Sequence, residues 1–334
     1  MKKFKQITVV LLCILLAVSA MPFTVSAAQI GYDNFYFKID GTTNEATLIS
    51  YSNSEATEIK IPDTVYNYKV TAIAEDAFLN NKTVKKVELP ITLKKIGNYA
   101  FAGCSSLEKI ILPWTVSTMG HSVFYGCSSL KSAYVNSLID SLPADTFNNC
   151  TSLNTVVLSS SIETIEKRAF YNCSSLTDFP DCFQITKIGQ SAFANSALHE
   201  VELPVILEEI GDKAFSNCEN LTKITLYENL LSISSNAFMN SLELTIYGYE
   251  DSYAQQYATE NNIPFVAFPE YENGDVNLDG TVSVDDVTFL QMHIARYDNF
   301  VSDDSYKVAD FDGNGTIDIN DVTMIQLYLA GYVV

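Results

Sequence analysis

Residues Ala100–Phe124 read AFAGCSSLEKIILPWTVSTMGHSVF. The stretch holds two phenylalanines, Phe101 and Phe124, and their interval of 23 residues recurs along most of the chain. Phenylalanine stands at positions 78, 101, 124, 147, 170, 193, 215 and 238, with a single step of 22. Five residues before each lies an apolar column: Ile73, Ile96, Met119, Leu142, Ile165, Ile188, Ile210 and Ile233. A further column runs Val84, Leu107, Leu130, Leu153, Leu176, Leu198, Leu221 and Leu244. A fixed period of this length is the signature of a solenoid, in which each unit buries its apolar residues only against its neighbours. Alternating segments such as LEKIILP and LNTVVLS predict short parallel strands, and the AF-containing segments predict a tight helical turn.

Two residues after each phenylalanine stands Asn80, Gly103, Gly126, Asn149, Asn172, Asn195, Asn217 or Asn240. Glycine and asparagine are the residues that best tolerate a left-handed backbone, so this column predicts the end of each turn. The turn thereby accounts for Asn149 and Asn172, which also sit in glycosylation sequons. One residue further come Cys104, Cys127, Cys150, Cys173 and Cys218. Equivalent side chains on coils about 4.8 Å apart point the same way, whereas a disulfide draws its Cβ atoms to about 3.8 Å. Free buried thiols are therefore expected, with Cys173–Cys182 the one bridge left open. Two coils depart from the pattern: Ala133 occupies a core column, and Pro180-Asp181 stands where a strand is expected.

This pattern resembles the bacterial leucine-rich repeats of BspA-like surface proteins. The resemblance implies an α/β solenoid of parallel strands with eight coils of about 23 residues. It also implies an N-terminal cap in YFKIDGTTNEATLISY with TEIKIP, and a C-terminal cap of helix then strand in TIYGYEDSYAQQYATENNIPFVAF. The face formed by outward strand residues, among them Lys109, Ile111, Tyr134 and Thr225, is a candidate surface for a protein or polysaccharide. Trp114, the sole tryptophan, either packs at the coil edge, the reading its position favours, or offers an aromatic plate to a sugar.

The C-terminal segment follows a different rule. DVNLDGTVSVDD (Asp275–Asp286) and DFDGNGTIDIND (Asp310–Asp321) each place oxygen ligands at positions 1, 3, 5, 7, 9 and 12, with glycine at 6. That is the spacing of a twelve-residue calcium loop. The expected ligands are Asp275, Asn277, Asp279, the Thr281 carbonyl, Ser283 and Asp286 for one ion. For the second they are Asp310, Asp312, Asn314, the Thr316 carbonyl, Asp318 and Asp321. Each loop leads into the same helical pattern, VTFLQMHIARY or VTMIQLYLAGY, while Pro269 and Gly274 oppose a helix before the first.

Loop then helix, twice, with aspartate closing, resembles a type I dockerin. The resemblance implies a small all-α module that folds around two Ca2+ ions and docks into a cohesin of a cellulosome-like scaffolding protein. The docking positions it implies are Val284, Asp285, Gln291, Met292 and Arg296 in one half, and Ile319, Asn320, Gln326 and Leu327 in the other. These departures from the commonest dockerin residues leave the cohesin type open. The near-identity of the halves implies two binding orientations.

The remaining features bound the function. The N-terminus has lysines at 2, 3 and 5, an apolar run and Val25-Ser26-Ala27, the form of a secretory signal ending at residue 27. The expected organisation is thus a 1–27 leader, a 28–269 solenoid and a 270–334 dockerin, in a secreted, extracellular chain held at a cell surface through its scaffold. No later stretch is apolar enough to span a bilayer. Removing the three leader lysines takes the formal charge from −20 to −23, which argues against nucleic acid as a partner. Caps, coils and dockerin fill the mature sequence, and His121, His199 and His293 lie outside any nucleophile setting. A binding protein is expected rather than an enzyme such as a glycoside hydrolase, with a structural spacer as the alternative.

Overall fold

The computed structural model describes residues 28–268, 271–297, 300 and 303–332. The expected leader and the expected boundary at 269/270 lie outside these residues. The chain forms two compact units, one ending at Ala267 and the other beginning at Phe268.

The first unit is a parallel-stranded solenoid of about ten turns, the eight phenylalanine coils extended by the caps. Its outward strands Glu58–Lys60, Lys86–Glu88, Lys109–Leu112, Ser132–Val135 and Thr155–Leu158 form one parallel sheet. A second sheet continues with Glu200–Glu202, Lys223–Thr225, Thr245–Gly248 and Phe265–Ala267. Ala133 disturbs nothing, since its strand pairs on both sides. Pro180 does: residues 178–181 form no strand, because proline cannot donate to the ladder.

A second ladder of two-residue strands carries the isoleucine column, and it breaks elsewhere, between Thr118–Met119 and Ser141–Leu142. The residue after this column normally donates one coil back, as Gly120 does to Ile96 O (2.9 Å) and Glu166 to Leu142 O (3.0 Å). At that place stands Pro143, which has no N–H for Met119 O.

The AF segments are turns rather than helix. From Phe78 to Phe215 each column phenylalanine N–H donates to the coil ahead, as Phe101 does to Val123 O (2.9 Å) and Phe147 to Ala169 O (2.8 Å). A helical turn would direct those groups within its own segment; inter-coil bonding uses them instead. The Asn/Gly column is left-handed throughout, from Asn80 (φ 59°) to Asn240 (φ 65°). The same is true two residues before phenylalanine, at Asp76, Tyr99, Ser122, Asp145, Arg168, Ser191 and Lys213 (φ 53–59°). That second column escapes sequence reading because its residue types share nothing.

Inside, the phenylalanine rings stack near-parallel from Phe78 to Phe238 at centroid spacings of 4.8–5.6 Å. Aromatic pairs of this kind add about 0.5–1.5 kcal/mol each beyond burial. The caps close the column: Tyr51 tilts onto Phe78 at one end, and Tyr257 meets Phe238 edge-on at the other. The N-terminal cap is a three-stranded antiparallel meander, Gln29–Tyr32, Phe35–Asp40 and Glu45–Tyr51. The C-terminal cap is helix α1 (Tyr253–Glu260) followed by Phe265–Ala267.

All six described cysteines are free and buried, which leaves no Cys173–Cys182 bridge. Each column thiol donates to the phenylalanine carbonyl of the preceding coil, as Cys127 does to Phe101 O and Cys150 to Phe124 O (3.2 Å each). Ser241 makes the same bond to Phe215 O (2.8 Å), so the column wants a small donor rather than sulfur itself. Burial pushes the Cys104 thiol up to about 12.

Candidate functional site

The second unit contains helices α2 (Val284–Ile294), α3 (Asp303–Ala309) and α4 (Ile319–Leu329). Its core is small: Val276, Val287, Leu290, Phe300, Ala309, Val322 and Ile325. Helix α3, directly before the second loop, has no counterpart in the loop-then-helix expectation. His293 stacks on Phe300 at 3.7 Å between ring centroids.

The two loops fold alike because their acids do the same work. Asp275 accepts the N–H groups of Asp279 (3.0 Å) and Gly280 (2.9 Å), and Asp310 accepts those of Asn314 (3.0 Å) and Gly315 (2.8 Å). The closing acids tie loop to helix: Asp286 accepts from Asn277 and Ser283, Asp321 from Asp312 and Asp318. Ser283 and Asp318 also cap α2 and α4, accepting from Asp285 N (3.1 Å) and Asn320 N (2.7 Å). Thr281 and Asn277 hydrogen-bond Asp279, and the Thr281 hydroxyl foremost holds that carboxyl below its ordinary value. Thr316 pairs with Asn314 in the same way.

Asp275, Asp286 and Asp321 are completely buried. Ionised carboxylates without a cationic partner are unfavourable in such places. In the second loop, oxygens of Asp310, Asp312 and Asp321 lie within 4.8 Å of one another, the one such acidic trio among the described residues. The first loop has Asn277 where the second has Asp312, which removes one acid from the equivalent place. Both loops turn left-handed at positions 4 and 6. The second uses Gly313 (φ 70°) and Gly315 (φ 82°); the first uses Leu278 (φ 60°) and Gly280 (φ 89°). Leu278 is thus the strained member of an otherwise matched pair.

The nine expected docking residues are all exposed. Val284 and Ile319, at the first turns of α2 and α4, are 71% and 59% exposed, high values for branched apolar side chains. The helix ends match as well. Tyr297 N bonds Met292 O (2.9 Å) past a left-handed Arg296, and Tyr332 N bonds Leu327 O (3.0 Å) past a left-handed Gly331. Such 6→1 closures satisfy the last helical carbonyls.

On the solenoid, Lys109, Ile111 and Trp114 line one open groove of about 840 Å³, together with Ile91. Trp114 is 70% exposed, so packing at the coil edge is not its role. The turn Pro113-Trp114 carries the indole out from the strand, as Pro90-Ile91 does one coil earlier. Tyr134 lies beneath Lys109, whose ammonium sits 4.7 Å from the ring centroid. Thr225, expected to face outward, is buried beside its rung partner Tyr247.

A parallel solenoid built from a 23-residue repeat defines a leucine-rich repeat protein. The BspA type leucine rich repeat region matches residues 49–177 and 186–262 in six copies, and the chain belongs to that family. Residues 273–330 match the dockerin type I domain, so the C-terminal unit is a type I dockerin. Both are non-catalytic domain types, and no enzyme family matches. Type I dockerins bind calcium and imply docking to a cohesin.

Among solved structures, a leucine-rich repeat protein of Bacteroides ovatus is 21% identical, covering 66% of this chain and 70% of its own (TM-score 0.48). A leucine-rich cell surface protein of Faecalibacterium prausnitzii is 24% identical over 67% and 77% (TM-score 0.45). The leucine-rich repeat protein of T. pallidum is 22% identical over 72% and 98% (TM-score 0.46). The search of curated proteins returned no match. No helix among the described residues is long and apolar enough to cross a membrane.

Proposed function

We propose that this chain is a secreted, non-catalytic binding protein that docks by its C-terminal unit into a cohesin of a scaffolding protein, leaving its repeats to hold a ligand. The observation that carries the reading is the matched pair of loop–helix halves. Buried acids hold each loop, and the helices that follow expose Val284, Asp285, Gln291, Met292 and Arg296, or Ile319, Asn320, Gln326 and Leu327. Branched apolar side chains left that open at a helix start are interface material.

The loop residues fit divalent calcium. Asp275, Asn277, Asp279, Ser283 and Asp286 would hold one ion, and Asp310, Asp312, Asn314, Asp318 and Asp321 the other, with the Thr281 and Thr316 carbonyls. Calcium would supply the positive charge that the buried carboxylates lack. The backbone N–H groups already bonded to Asp275 and Asp310 keep those acids aimed inward.

Docking to the scaffold would place the chain among polysaccharide-degrading components outside the cell. The test is retention of the purified chain on immobilised cohesins of several types, with calcium and with chelator. Retention with calcium and release by chelator is expected. Asp321→Ala, which removes one of the trio, should release it at calcium concentrations that hold the wild type. Failure to bind any cohesin in calcium, with α2 and α4 folded by circular dichroism, would overturn the reading.

A further inference from the structure

The groove beside Trp114, whose lining has three lysines and three glutamates, lies in a lysine-rich part of an acidic chain. Between Lys60 and Lys131 there are nine lysines and five acids, in a chain whose formal charge is −20. Within the groove Lys86 is taken up by Glu88 (3.0 Å), and Glu108 by Lys131 (3.5 Å). Lys85 and Lys109 have no carboxylate within ion-pair distance among the described residues, against one acid in the same state, Glu58. The same groove is lined by an apolar shelf of Ile91 (69% exposed), Ile111 and Trp114. Exposed branched and aromatic surface in one groove with lysines that no carboxylate pairs suits a ligand with a flat apolar face and negative charges at its edge.

The spacing separates a sugar chain from a peptide. Ile91 and Trp114 occupy the same place on successive coils, and Lys86 is in register with Lys109, so features along the solenoid recur about every 4.8 Å. An extended peptide rises only about 3.3 Å per residue and would drift out of step. It also gains little here, because the groove's strands Lys86–Glu88 and Lys109–Leu112 are paired on both edges and offer no free ladder. A pyranose chain advances by about one coil per sugar, places a ring face on the indole and carries substituents at its edge.

We infer that this groove binds an anionic polysaccharide whose sugars carry carboxylates, the chain running along the solenoid axis with one ring on Trp114 and carboxylates at Lys85 and Lys109. The inference rests on the reading of the repeats as a binding module and names the ligand class. Trp114 is the sole tryptophan, so its fluorescence reports the site directly.

The full-length protein, with calcium, is titrated with polygalacturonate and with the same polymer fully methyl-esterified, whose carboxylates are masked. Polygalacturonate is expected to shift the tryptophan emission saturably, and added salt to weaken it. The esterified polymer should bind at least about tenfold more weakly, a loss on the scale of one hot-spot contact. In affinity electrophoresis Trp114→Ala should bind about tenfold more weakly, and Lys85→Gln with Lys109→Gln should lose most of the salt dependence. Circular dichroism melting checks that each variant is folded.

Equal binding of both polymers, no emission change, or undiminished binding by folded Trp114→Ala would overturn the inference. So would a shift caused by an acidic protein but by neither polymer. Cohesin retention on the same preparations keeps the two readings apart: a chain that docks but ignores polygalacturonate sinks the ligand class and leaves docking intact.

Discussion

The two units satisfy their buried polar groups by opposite means. In the solenoid buried N–H groups bond carbonyls of a neighbouring coil or of their own turn, and the side chains between coils are neutral: phenylalanine, isoleucine, leucine and thiol. In the dockerin the loop N–H groups are held by aspartates, of which Asp275 and Asp286 in the first loop and Asp321 in the second have no solvent contact. Among its described residues the solenoid buries no charged side chain. The dockerin brings acids together and leaves them to be matched by a cation from outside.

The largest consequence is selective melting. Chelation should unfold residues from about 271 onward and abolish cohesin retention, while the repeats keep their melting temperature. Limited proteolysis with and without chelator reads this, and loss of the repeats together with the C-terminal unit would break the contrast.

The next effect is confined to the neutral core. Phe147→Ala removes a ring stacked on both sides and should destabilise the repeats by about 3–5 kcal/mol in denaturant melts. Calcium-dependent docking should be unaffected.

On the dockerin, Val284→Asp and Ile319→Asp should each weaken cohesin binding by about twofold, roughly 0.4 kcal/mol, if the halves offer interchangeable faces. The double variant should lose about 3 kcal/mol or more, because an unpaired carboxylate is then buried in either orientation. Calorimetric titration decides, and a single variant that abolishes binding would make the unit one-faced.

The thiol column gives the solenoid an alkaline limit. Burial raises the folded Cys104 from 9.0 to about 12, so above pH 9 the unfolded chain releases a proton that the folded chain keeps. Stability present below pH 9 is lost progressively up to about 12. At pH 10 this amounts to about 1.4 kcal/mol for that thiol, and Cys104→Ser should recover it while keeping the bond that Ser241 shows to be available. Denaturant midpoints at pH 8 and 10 measure it.

Smallest is the backbone correction. Leu278→Gly should relieve a left-handed leucine and stabilise the calcium-loaded first loop by about 1 kcal/mol. Calcium titrations of the two proteins compare the loops directly.

Much of this was legible in the residues. The 23-residue beat fixes the coil because one ring per turn must lie over the next, and Gly or Asn after it marks a left-handed end. The loop acids were legible because ligand spacing is set by the chain itself. What escaped reading depends on neighbours one coil away. The second left-handed column spans Tyr99, Arg168 and Lys213, held there by inter-coil bonds rather than by intrinsic preference. Pro143 stands outside the repeating columns, and its effect is visible only beside the Met119 carbonyl it fails to meet. Thr225 and Trp114 exchanged their expected surroundings for the same reason: outwardness depends on the size of the rung partner and on the path of the turn.

The two ladder breaks do not coincide. Pro143 interrupts the short-strand ladder where the long strands run on, and Pro180 interrupts the long strands where the short ladder runs on. The phenylalanine turns stay bonded past both. No cross-section of the solenoid is therefore held by a single seam, much as courses of brick are laid with staggered joints. A chain tethered at its C-terminal unit and pulled through a ligand on its repeats would feel tension along this stack. At either proline gap the other ladder and the phenylalanine turns still bond one coil to the next, so neither junction depends on a single set of bonds.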